Sequence, residues 1–354
     1  MSLLDKLMKA GSVKTSEILS ESTFFFNKES APTEVPIFNI AMSADPFGGL
    51  IAGLTFIAGP SKHFKSLFGL VLVKAYMDKY PDAVCLFYDS EFGITPEYIK
   101  ANGIDTSRVI HIPIEHLEQL KFDLSKRLEQ IERGDKVIIF ADSVGNLASK
   151  KEVEDALEQK SVADMTRAKV MKSLWRIVTP HLTIKDIPMV VVNHTYQTME
   201  LYSKTVMGGG TGGMYSANQV FFIGKAQEKD GTELVGYNFT LVIDKSRFVR
   251  EKSKFAFLVT FDGGIQRYSG LMDIALEGKF VVKPSNGWYA KVDLNTGEVG
   301  AKKRFADTQN AEFWNPLLDD PKFLDFIKQQ YGIAYGSLLE DTSILQESEE
   351  AENT

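Results

Sequence analysis

One eight-residue segment, GPSKHFKS at residues 59–66, has the residue types and spacing of a loop that binds phosphate. It matches the pattern Gly-x-x-x-x-Gly-Lys-Ser/Thr except at Phe64, which stands where that pattern has its second glycine. An apolar run at 54–58 precedes the segment and a helical pattern at 65–80 follows it, so its amides would face the positive end of a helix dipole. The sequence therefore predicts a phosphate-binding loop. A plain strand-turn-helix connection with incidental lysines is the alternative.

Two residues of this loop carry the expected chemistry. Lys65 would reach the β- and γ-phosphates of a nucleotide, and Ser66 would hold magnesium through its hydroxyl group. Asp142 ends the apolar run at 137–141 and would support the same ion, because the carboxyl ends of parallel strands meet at one edge of a sheet. These three residues predict a site for a nucleoside triphosphate with Mg²⁺.

Polar residues end two further apolar runs. Glu91 follows the run at 83–88, and we expect it to orient and polarise a water that faces the γ-phosphate. Asp89, two residues earlier, is expected to be structural, and a solvated loop carboxylate is the alternative for Glu91. His194 follows the run at 188–192 and is a candidate contact to the γ-phosphate, with a purely structural histidine as the alternative.

Three more residues have two readings each. Tyr98 lies at a predicted helix start, where it either stacks on a base or packs against the protein. Lys245 and Arg247 are two residues apart at a predicted strand end, so both point to the same side. They either clamp a phosphate or form a solvated edge.

Two longer segments near this edge are predicted to be functional loops. Residues 195–214 contain TVMGGGTGG, a glycine-rich stretch that cannot hold a regular element by itself. Residues 148–160 contain a lysine pair and several acids, and they are predicted to form a second mobile loop. Both loops would project from one face.

The spacing of apolar runs predicts an α/β fold with a mostly parallel sheet covered by helices. Leucines between 117 and 131 recur at helical spacing, which predicts an amphipathic crossover helix that ends at Gly134. Runs at 219–224, 237–244 and 254–261 are predicted to add antiparallel strands at one edge. The predicted parallel strands are 54–58, 83–88, 109–112, 137–141 and 188–192.

Composition limits the class of protein. The chain has 354 residues, 44% of them apolar, which is enough for one large domain with small additions. Six of the seven net negative charges come from residues 340–354, so the body of the chain is close to neutral. A single cysteine, Cys85, excludes a disulfide framework and fits a reducing cytoplasm. No apolar run is long enough for a membrane span or a signal peptide, so we expect a cytoplasmic protein without a membrane partner.

Six segments in order, GPSKHFKS, YDSEFG, VIIFADS, VVVNH, the glycine-rich stretch and DKSR, resemble the RecA-type DNA strand-exchange recombinases over nearly the whole chain. The resemblance implies a P-loop ATPase core at 37–265, which also binds DNA. An N-terminal helical arm at 1–36 would dock on a neighbouring subunit, although it could instead fold back on its own core. A small C-terminal α+β domain would span 266–339, and residues 340–354 would be an acidic disordered tail.

The resemblance also implies an activity and partners. The chain would be a DNA-dependent ATPase, with ATP and Mg²⁺ as cofactors, that forms helical filaments on single-stranded DNA and exchanges strands with homologous double-stranded DNA. A recombination mediator protein and a single-strand DNA-binding protein would assist it. A ring-shaped hexameric DNA helicase motor on the same fold and a non-catalytic ATP-binding regulatory filament are the alternatives.

The resemblance assigns roles to individual residues. Lys245 and Arg247 would enter the ATP site of the neighbouring subunit, and Tyr98 would stack on adenine. The implied catalytic residues are Glu91, Lys65, His194, Lys245 and Arg247. The implied nucleotide-binding residues are Gly59, Pro60, Ser61, Lys62, His63, Phe64, Lys65, Ser66, Leu67 and Tyr98. The implied magnesium residues are Ser66 and Asp142, and the implied DNA-binding residues are Lys169, Arg176, Met207, Gly208, Gly209 and Gly210.

Overall fold

A computed structural model describes residues 2–13, 16–22, 29–158, 166–199 and 204–333. The predicted acidic tail at 340–354, the last residues of the predicted C-terminal domain and part of both predicted loops lie outside the described residues. No helix within the described ranges has the length and apolar character needed to cross a membrane.

Ten strands of the described chain form one sheet, and three more form a small second sheet. The strands are β1 Gly53–Gly59, β2 Val84–Asp89, β3 Val109–Pro113, β4 Val137–Asp142, β5 Pro188–Gln197, β6 Thr205–Met207, β7 Gln219–Asp230, β8 Glu233–Ser246, β9 Lys254–Thr260, β10 Gly264–Ile265, β11 Val281–Ser285, β12 Trp288–Lys291 and β13 Lys303–Arg304. The helices are α1 Leu3–Ala10, α2 Pro36–Ser43, α3 Lys65–Lys79, α4 Pro96–Ala101, α5 Leu117–Gln130, α6 Lys150–Leu157, α7 Thr166–Lys185, α8 Thr211–Ser216, α9 Leu271–Glu277, α10 Ala311–Leu318 and α11 Pro321–Tyr331.

The large sheet has the order β10-β9-β8-β7-β1-β5-β4-β2-β3, with β6 paired to β5. All five predicted parallel strands are present, and β1 is buried along its whole length. Continuous apolar runs suit these central strands because helices cover both of their faces. The prediction of an entirely antiparallel edge was wrong in one respect. β7 pairs parallel with β1, and the antiparallel addition begins only at β8.

Two apolar cores lie on opposite faces of the sheet. Helix α3 belongs to one core, in which Phe38 packs edge-to-face on Phe68 and on Phe257. Helices α5 and α7 belong to the other, in which Phe56 packs edge-to-face on Trp175. Packing on both faces fixes the strands, and so it fixes the sheet edge from which the polar residues extend.

The leucine stripe of α5 faces the second core as predicted, and Leu117, Leu120, Leu124 and Leu128 are fully buried. The predicted end of this helix was wrong. The helix ends at Gln130, Ile131 is already extended, and Gly134 has a positive φ of 113° in the turn that follows. The apolar side chain of Ile131 packs against the core from this extended position, so burial continued the pattern beyond the helix.

The two predicted loops contain more regular structure than their composition suggested. Residues 150–157 of the first form helix α6, which begins with a capping box between Ser149 and Glu152. This box stabilises a helix start by pairing two otherwise unbonded amides, and it explains the error. In the second segment β5 continues to Gln197 and pairs with β6, so the glycines lie just beyond a hairpin.

The N-terminal and C-terminal additions differ in how they pack. Helix α1 has no buried residue, and Leu3, Leu4 and Leu7 are more than half exposed. Within the described residues this helix therefore does not fold back on its own core. In the C-terminal part, β11 and β12 form an antiparallel hairpin, and α11 follows at Pro321–Tyr331.

A glycine in α3 allows this helix to approach β4 closely. A Cβ atom at Gly69 would lie 2.4 Å from Cε2 of Phe140. We expect Gly69→Ala to lower the free energy of unfolding by about 1–2 kcal/mol. Overpacking costs about 1–3 kcal/mol, and a clash this close belongs to the upper part of that range, about 2–3 kcal/mol, from which improved helix propensity returns about 1. Urea denaturation measures this change.

The matched control is Gly93→Ala, because no atom in the part of the chain that the structure describes lies within 4 Å of a Cβ atom built at Gly93. Equal stability of both variants and the wild type would contradict the assigned contact between α3 and β4.

Candidate functional site

The predicted phosphate-binding loop connects β1 to α3. β1 ends at Gly59 and α3 begins at Lys65, so the first amides of the helix lie at the edge where the strand ends. Lys62 and Phe64 both adopt a left-handed backbone, with φ of 59° and 64°. Glycine is usual in this conformation because a Cβ atom makes it costly.

Phe64 occupies the glycine position because its ring is held by aromatic neighbours. Its centroid lies 5.0 Å from that of Phe239 and 5.3 Å from that of Phe257. A left-handed residue costs about 1–2 kcal/mol, and an aromatic pair contributes about 0.5–1.5 kcal/mol beyond the burial of its surface. Two such pairs offset the backbone cost, so the loop keeps its shape without the second glycine.

Lys65 is the buried cation of the loop, with 6% of its surface exposed. Its Nζ donates a hydrogen bond of 2.8 Å to the carbonyl oxygen of Pro60. Burial lowers the pKa of Lys65, while the carboxylates of Glu91 and Asp142 partly oppose this change. The ammonium group thus lies inside the loop, beside the carboxylates that a bound phosphate would face.

Asp142 lies at the end of β4 with only 3% of its surface exposed. Burial raises the pKa of Asp142 to about 6, the charges of Glu91 and Asp89 add to this rise, and a hydrogen bond with Ser66 opposes it. Its Oδ1 atom is buried and has no hydrogen-bond partner among the described residues. A carboxylate oxygen without a partner beside a hydroxyl group is a donor set that suits Mg²⁺, so the predicted magnesium residues fit the ion.

Glu91 lies between two hydrogen-bond donors. Its Oε1 accepts a bond of 2.6 Å from Oγ of Ser143 and one of 2.8 Å from Nε2 of His194. Burial raises the pKa of Glu91, but these two hydrogen bonds and the charge of Lys65 lower it by more, so the pKa of Glu91 lies below its ordinary value. The carboxylate is therefore ionised at neutral pH and can accept a hydrogen bond from water. The sequence reasoning missed Ser143, although a hydroxyl directly after Asp142 was a usable signal.

Asp89 holds the turn between β2 and Glu91. Its Oδ1 accepts hydrogen bonds from the backbone nitrogens of Glu91, at 3.1 Å, and Phe92, at 2.8 Å. Its Oδ2 lies 3.0 Å from Nε2 of His111 on the neighbouring strand β3. These bonds agree with the structural role predicted for Asp89, and His111 is a partner that the sequence did not reveal.

A cleft of about 390 Å³ lies against the loop. Tyr98, which is 42% exposed, lines it together with Glu91 and His194. Sequence reasoning missed an opposite wall from β7, β8 and β9, in which Nζ of Lys225 lies 3.6 Å from the ring centroid of Tyr237. The cleft is lined by Ser61, Lys62, His63, Phe64, Lys65, Ser66, Leu67, Glu91, Tyr98, His194, Lys225, Tyr237, Phe239, Val259 and Phe261.

His194 joins this cleft to the glycine-rich segment. It also lines a second cavity of about 470 Å³, together with Gly208, Gly209 and Gly210. The backbone nitrogen of Gly208 donates a bond of 2.9 Å to the carbonyl oxygen of His194. Nδ2 of Asn193 donates a bond of 2.9 Å to the carbonyl oxygen of Gly208. A shift of His194 would therefore move Gly208 and the glycines that follow it.

Lys245 and Arg247 do not line the cleft of their own chain. Gln219, the first residue of β7, pairs with Thr55 near the beginning of β1 and with Ser246 at the end of β8. The two cations thus lie toward the opposite end of the sheet from the loop. Nζ of Lys245 donates to the carbonyl oxygens of two residues at the end of α8, and burial and the charge of Arg247 lower its pKa.

The predicted DNA-binding residues separate into exposed and buried ones. Lys169 and Arg176 are exposed on α7, and Lys172, which sequence reasoning missed, lies on the same helical face. The side chain of Met207 is only 4% exposed and belongs to the second core, so a contact of Met207 with DNA would be made by its backbone. An apolar side chain at the end of β6 gains more by packing than by facing solvent.

Comparisons with known proteins agree with the fold. The model of the RecA N-terminal domain matches residues 30–266, and that of the C-terminal domain of the bacteriophage T4 recombination and repair protein matches residues 268–327. The recombination and repair protein (UvsX) of Enterobacteria phage T4 is 57% identical over 334 residues, which cover 93% of this chain and 85% of that protein.

More distant proteins also match. Protein RecA of Tropheryma whipplei is 24% identical over 307 residues, which cover 84% of this chain and 68% of that protein. A crystal structure of the RadB recombinase aligns with 62% of this chain and 92% of that chain, with a TM-score of 0.45 and 18% identity. The extent of the RecA match and the identity to the phage T4 protein show that the chain belongs to the RecA family of recombinases.

Proposed function

We propose that the chain is a DNA-dependent ATPase that forms helical filaments on single-stranded DNA, pairs it with homologous double-stranded DNA and exchanges the strands. Its roles would be homologous recombination, repair and recombination-dependent replication. The observation that carries this proposal is the joint position of Glu91, Ser143 and His194 beside the phosphate-binding loop. An ionised glutamate that two hydrogen-bond donors hold at the cleft suits hydrolysis better than simple nucleotide binding.

The residues of the cleft divide the work of hydrolysis. The amides at the start of α3 and the ammonium group of Lys65 hold the phosphates of ATP and offset their charge. Glu91 accepts a hydrogen bond from a water, which attacks the γ-phosphorus as the bond to the β-phosphate oxygen breaks. Ser143 and His194 fix the carboxylate in the required direction. Tyr98 stacks on adenine at the open side of the cleft.

Ser66 and Asp142 would hold Mg²⁺, which would neutralise charge on the β- and γ-phosphates when bound. The unpaired Oδ1 of Asp142 supports this assignment. Without a cation the ionised carboxylate lies buried near Glu91 and Asp89, an arrangement that costs free energy.

The active site is completed by a neighbouring subunit. Lys245 and Arg247 lie away from their own cleft, and a head-to-tail contact would bring them to the next one. The exposed leucines of α1 support docking of the arm at 1–36 in the same assembly. Hydrolysis would then loosen the interface, because the γ-phosphate contacts groups from both subunits.

DNA binds through segments that lie beyond His194 and along α7. Lys169, Lys172 and Arg176 form one exposed cationic face that suits phosphate contacts, while Gly208 to Gly210 let a DNA backbone approach closely. Base pairing would supply the sequence specificity. A recombination mediator protein and a single-strand DNA-binding protein would assist loading, and the site of action would be the cytoplasm of a bacterial host.

Replacement of Asp142 tests the magnesium assignment on the nucleotide-free protein. The pKa of Asp142 is higher in the native state than in the unfolded chain. The native state therefore loses stability as pH rises from about 4 to about 6, and this loss remains at higher pH. We expect the free energy of unfolding of Asp142→Asn to exceed that of the wild type by about 1–3 kcal/mol at pH 7 and to equal it at pH 4. A pKa shift of about two units sets the upper limit of this difference.

The same variant should lose most of the thermal stabilisation that MgATP gives the wild type. Asp325→Asn, an exposed change on α11, is the control and should match the wild type at both pH values. Destabilisation of Asp142→Asn at pH 7 would contradict the assignment.

Replacement of Glu91 tests the ATPase assignment. We expect Glu91→Gln to bind ATP and assemble on single-stranded DNA but to hydrolyse ATP at least about 100-fold more slowly, because a general base contributes about 10²–10⁴-fold. Phosphate release with and without DNA measures turnover, and a strand-exchange assay measures the formation of joint DNA molecules and exchanged products.

Absence of DNA-stimulated phosphate release by the wild type would favour the non-catalytic filament, whereas full turnover by Glu91→Gln would show that Glu91 is not the residue that activates water. Closed hexameric rings in electron micrographs, in place of helical filaments, would favour the helicase motor.

Mixed filaments test the shared site. Lys65→Ala protein lacks the phosphate-binding lysine but keeps both cations, whereas Lys245→Ala protein keeps the loop. We expect an equal mixture to recover up to about a quarter of wild-type turnover, since half the protomers keep the loop and half of these meet an intact neighbour. The control is a mixture of Lys245→Ala protein with protein that carries both Lys65→Ala and Lys245→Ala, and this mixture should recover no turnover. Equal turnover in the two mixtures would show that each site lies within one subunit.

A further inference from the structure

A chain of contacts runs from the free edge of the large sheet to Glu91. Strand β3 ends the described sheet on this side, and His111 lies at its centre. The side chain of His111 is half exposed, yet its Nε2 lies 3.0 Å from Oδ2 of Asp89, a carboxylate with 1% of its surface exposed. A half-exposed imidazole therefore bonds a fully buried acid.

Asp89 transmits this contact to the turn that carries Glu91. Its other oxygen, Oδ1, accepts hydrogen bonds from the backbone nitrogens of Glu91 and Phe92. Phe92 has a positive φ of 55° and a largely exposed ring, so its own packing does not hold this costly conformation. The hydrogen bonds to Asp89 hold the turn, and the direction of the Glu91 side chain depends on them.

The strand register explains why His111 reaches Asp89. His111 pairs with Phe87 of β2, and Phe87 and Asp89 lie on the same face because side chains alternate along a strand. The imidazole packs on the ring of Phe87, with centroids 5.4 Å apart, and Phe87 stacks on Phe140 at 5.3 Å. The ring is thus fixed by packing while its Nε2 points along the strand to the carboxylate.

We propose that His111 is a positioning residue for hydrolysis: through its hydrogen bond to Asp89 it fixes the turn that aims Glu91 at the cleft. This rests on the proposed role of Glu91 in ATP hydrolysis. His111 does not line the cleft, so it affects the rate of the chemical step and not the binding of ATP. An oriented group that shifts by about 1 Å loses up to about 100-fold in rate.

The experiment compares three replacements of His111 in the full chain on single-stranded DNA. His111→Ala removes the donor, and His111→Asn is too short to reach Asp89. His111→Gln carries an amide nitrogen near the position of Nε2 and can donate to the same oxygen. We expect kcat for ATP to fall between about tenfold and 100-fold in the Ala and Asn variants, with KM changed less than about twofold, and His111→Gln to recover most of the loss.

Two controls separate positioning from folding. His181→Ala, on α7, should keep the wild-type kcat, and the Asn and Gln variants should have matching midpoints of thermal unfolding. In an Asp89→Asn background, the change His111→Ala should lower kcat no further, because the contact it would remove is already altered. Equal kcat for the Asn and Gln variants, a loss expressed in KM, or full additivity with Asp89→Asn would overturn the proposal.

Failure of the proposed function gives a different result. If Glu91→Gln retains wild-type turnover, the role of Glu91 itself is wrong. If Glu91→Gln is inactive and His111→Ala is fully active, only the positioning role of His111 is wrong.

Discussion

Four parallel strands, β1, β5, β4 and β2, carry the residues of the candidate site at nearly the same level, and the site depends on that shared register. Gly59 pairs with His194 across β1 and β5, and Asp89 pairs with Asp142 across β2 and β4. The phosphate-binding loop, the acids and the histidine therefore meet without any long-range loop bringing them together. Apolar packing on both faces of the sheet maintains this register, so the core of the protein sets the geometry of its chemistry.

The same register creates an electrostatic problem that the nucleotide would solve. Burial and two neighbouring carboxylates raise the pKa of Asp142 to about 6, while hydrogen bonds from Ser143 and His194 lower that of Glu91. The two acids thus have opposite tendencies at one edge, which is the usual mark of groups with different roles in a reaction. A magnesium ion at Asp142 would relieve the repulsion, and the binding of MgATP would stabilise the fold at the same time.

Much of this arrangement could be predicted from residue patterns, and the rest depended on contacts between strands. Apolar runs identified the five central strands, and the polar residues after them identified Glu91, Asp142 and His194. The contacts of Ser143 with Glu91 and of His111 with Asp89 were not predicted, because such hydrogen bonds depend on the register between strands, which a single apolar run does not specify. The helix α6 was missed because a capping box outweighed a polar composition. Phe64 was found by its departure from a pattern, but the rings that hold it come from β8 and β9, far along the chain.

In the proposed assembly, ATP lies between subunits of a helical filament. Cryo-electron microscopy of the chain assembled on single-stranded DNA with Mg²⁺ and a non-hydrolysable ATP analogue tests it most directly. We expect a helical filament in which Asp142 and Ser66 face the metal, Glu91 faces the γ-phosphate, and Lys245 and Arg247 of the adjacent subunit reach the same phosphate. A closed ring, or a filament in which no cation of a neighbour approaches the nucleotide, would contradict it.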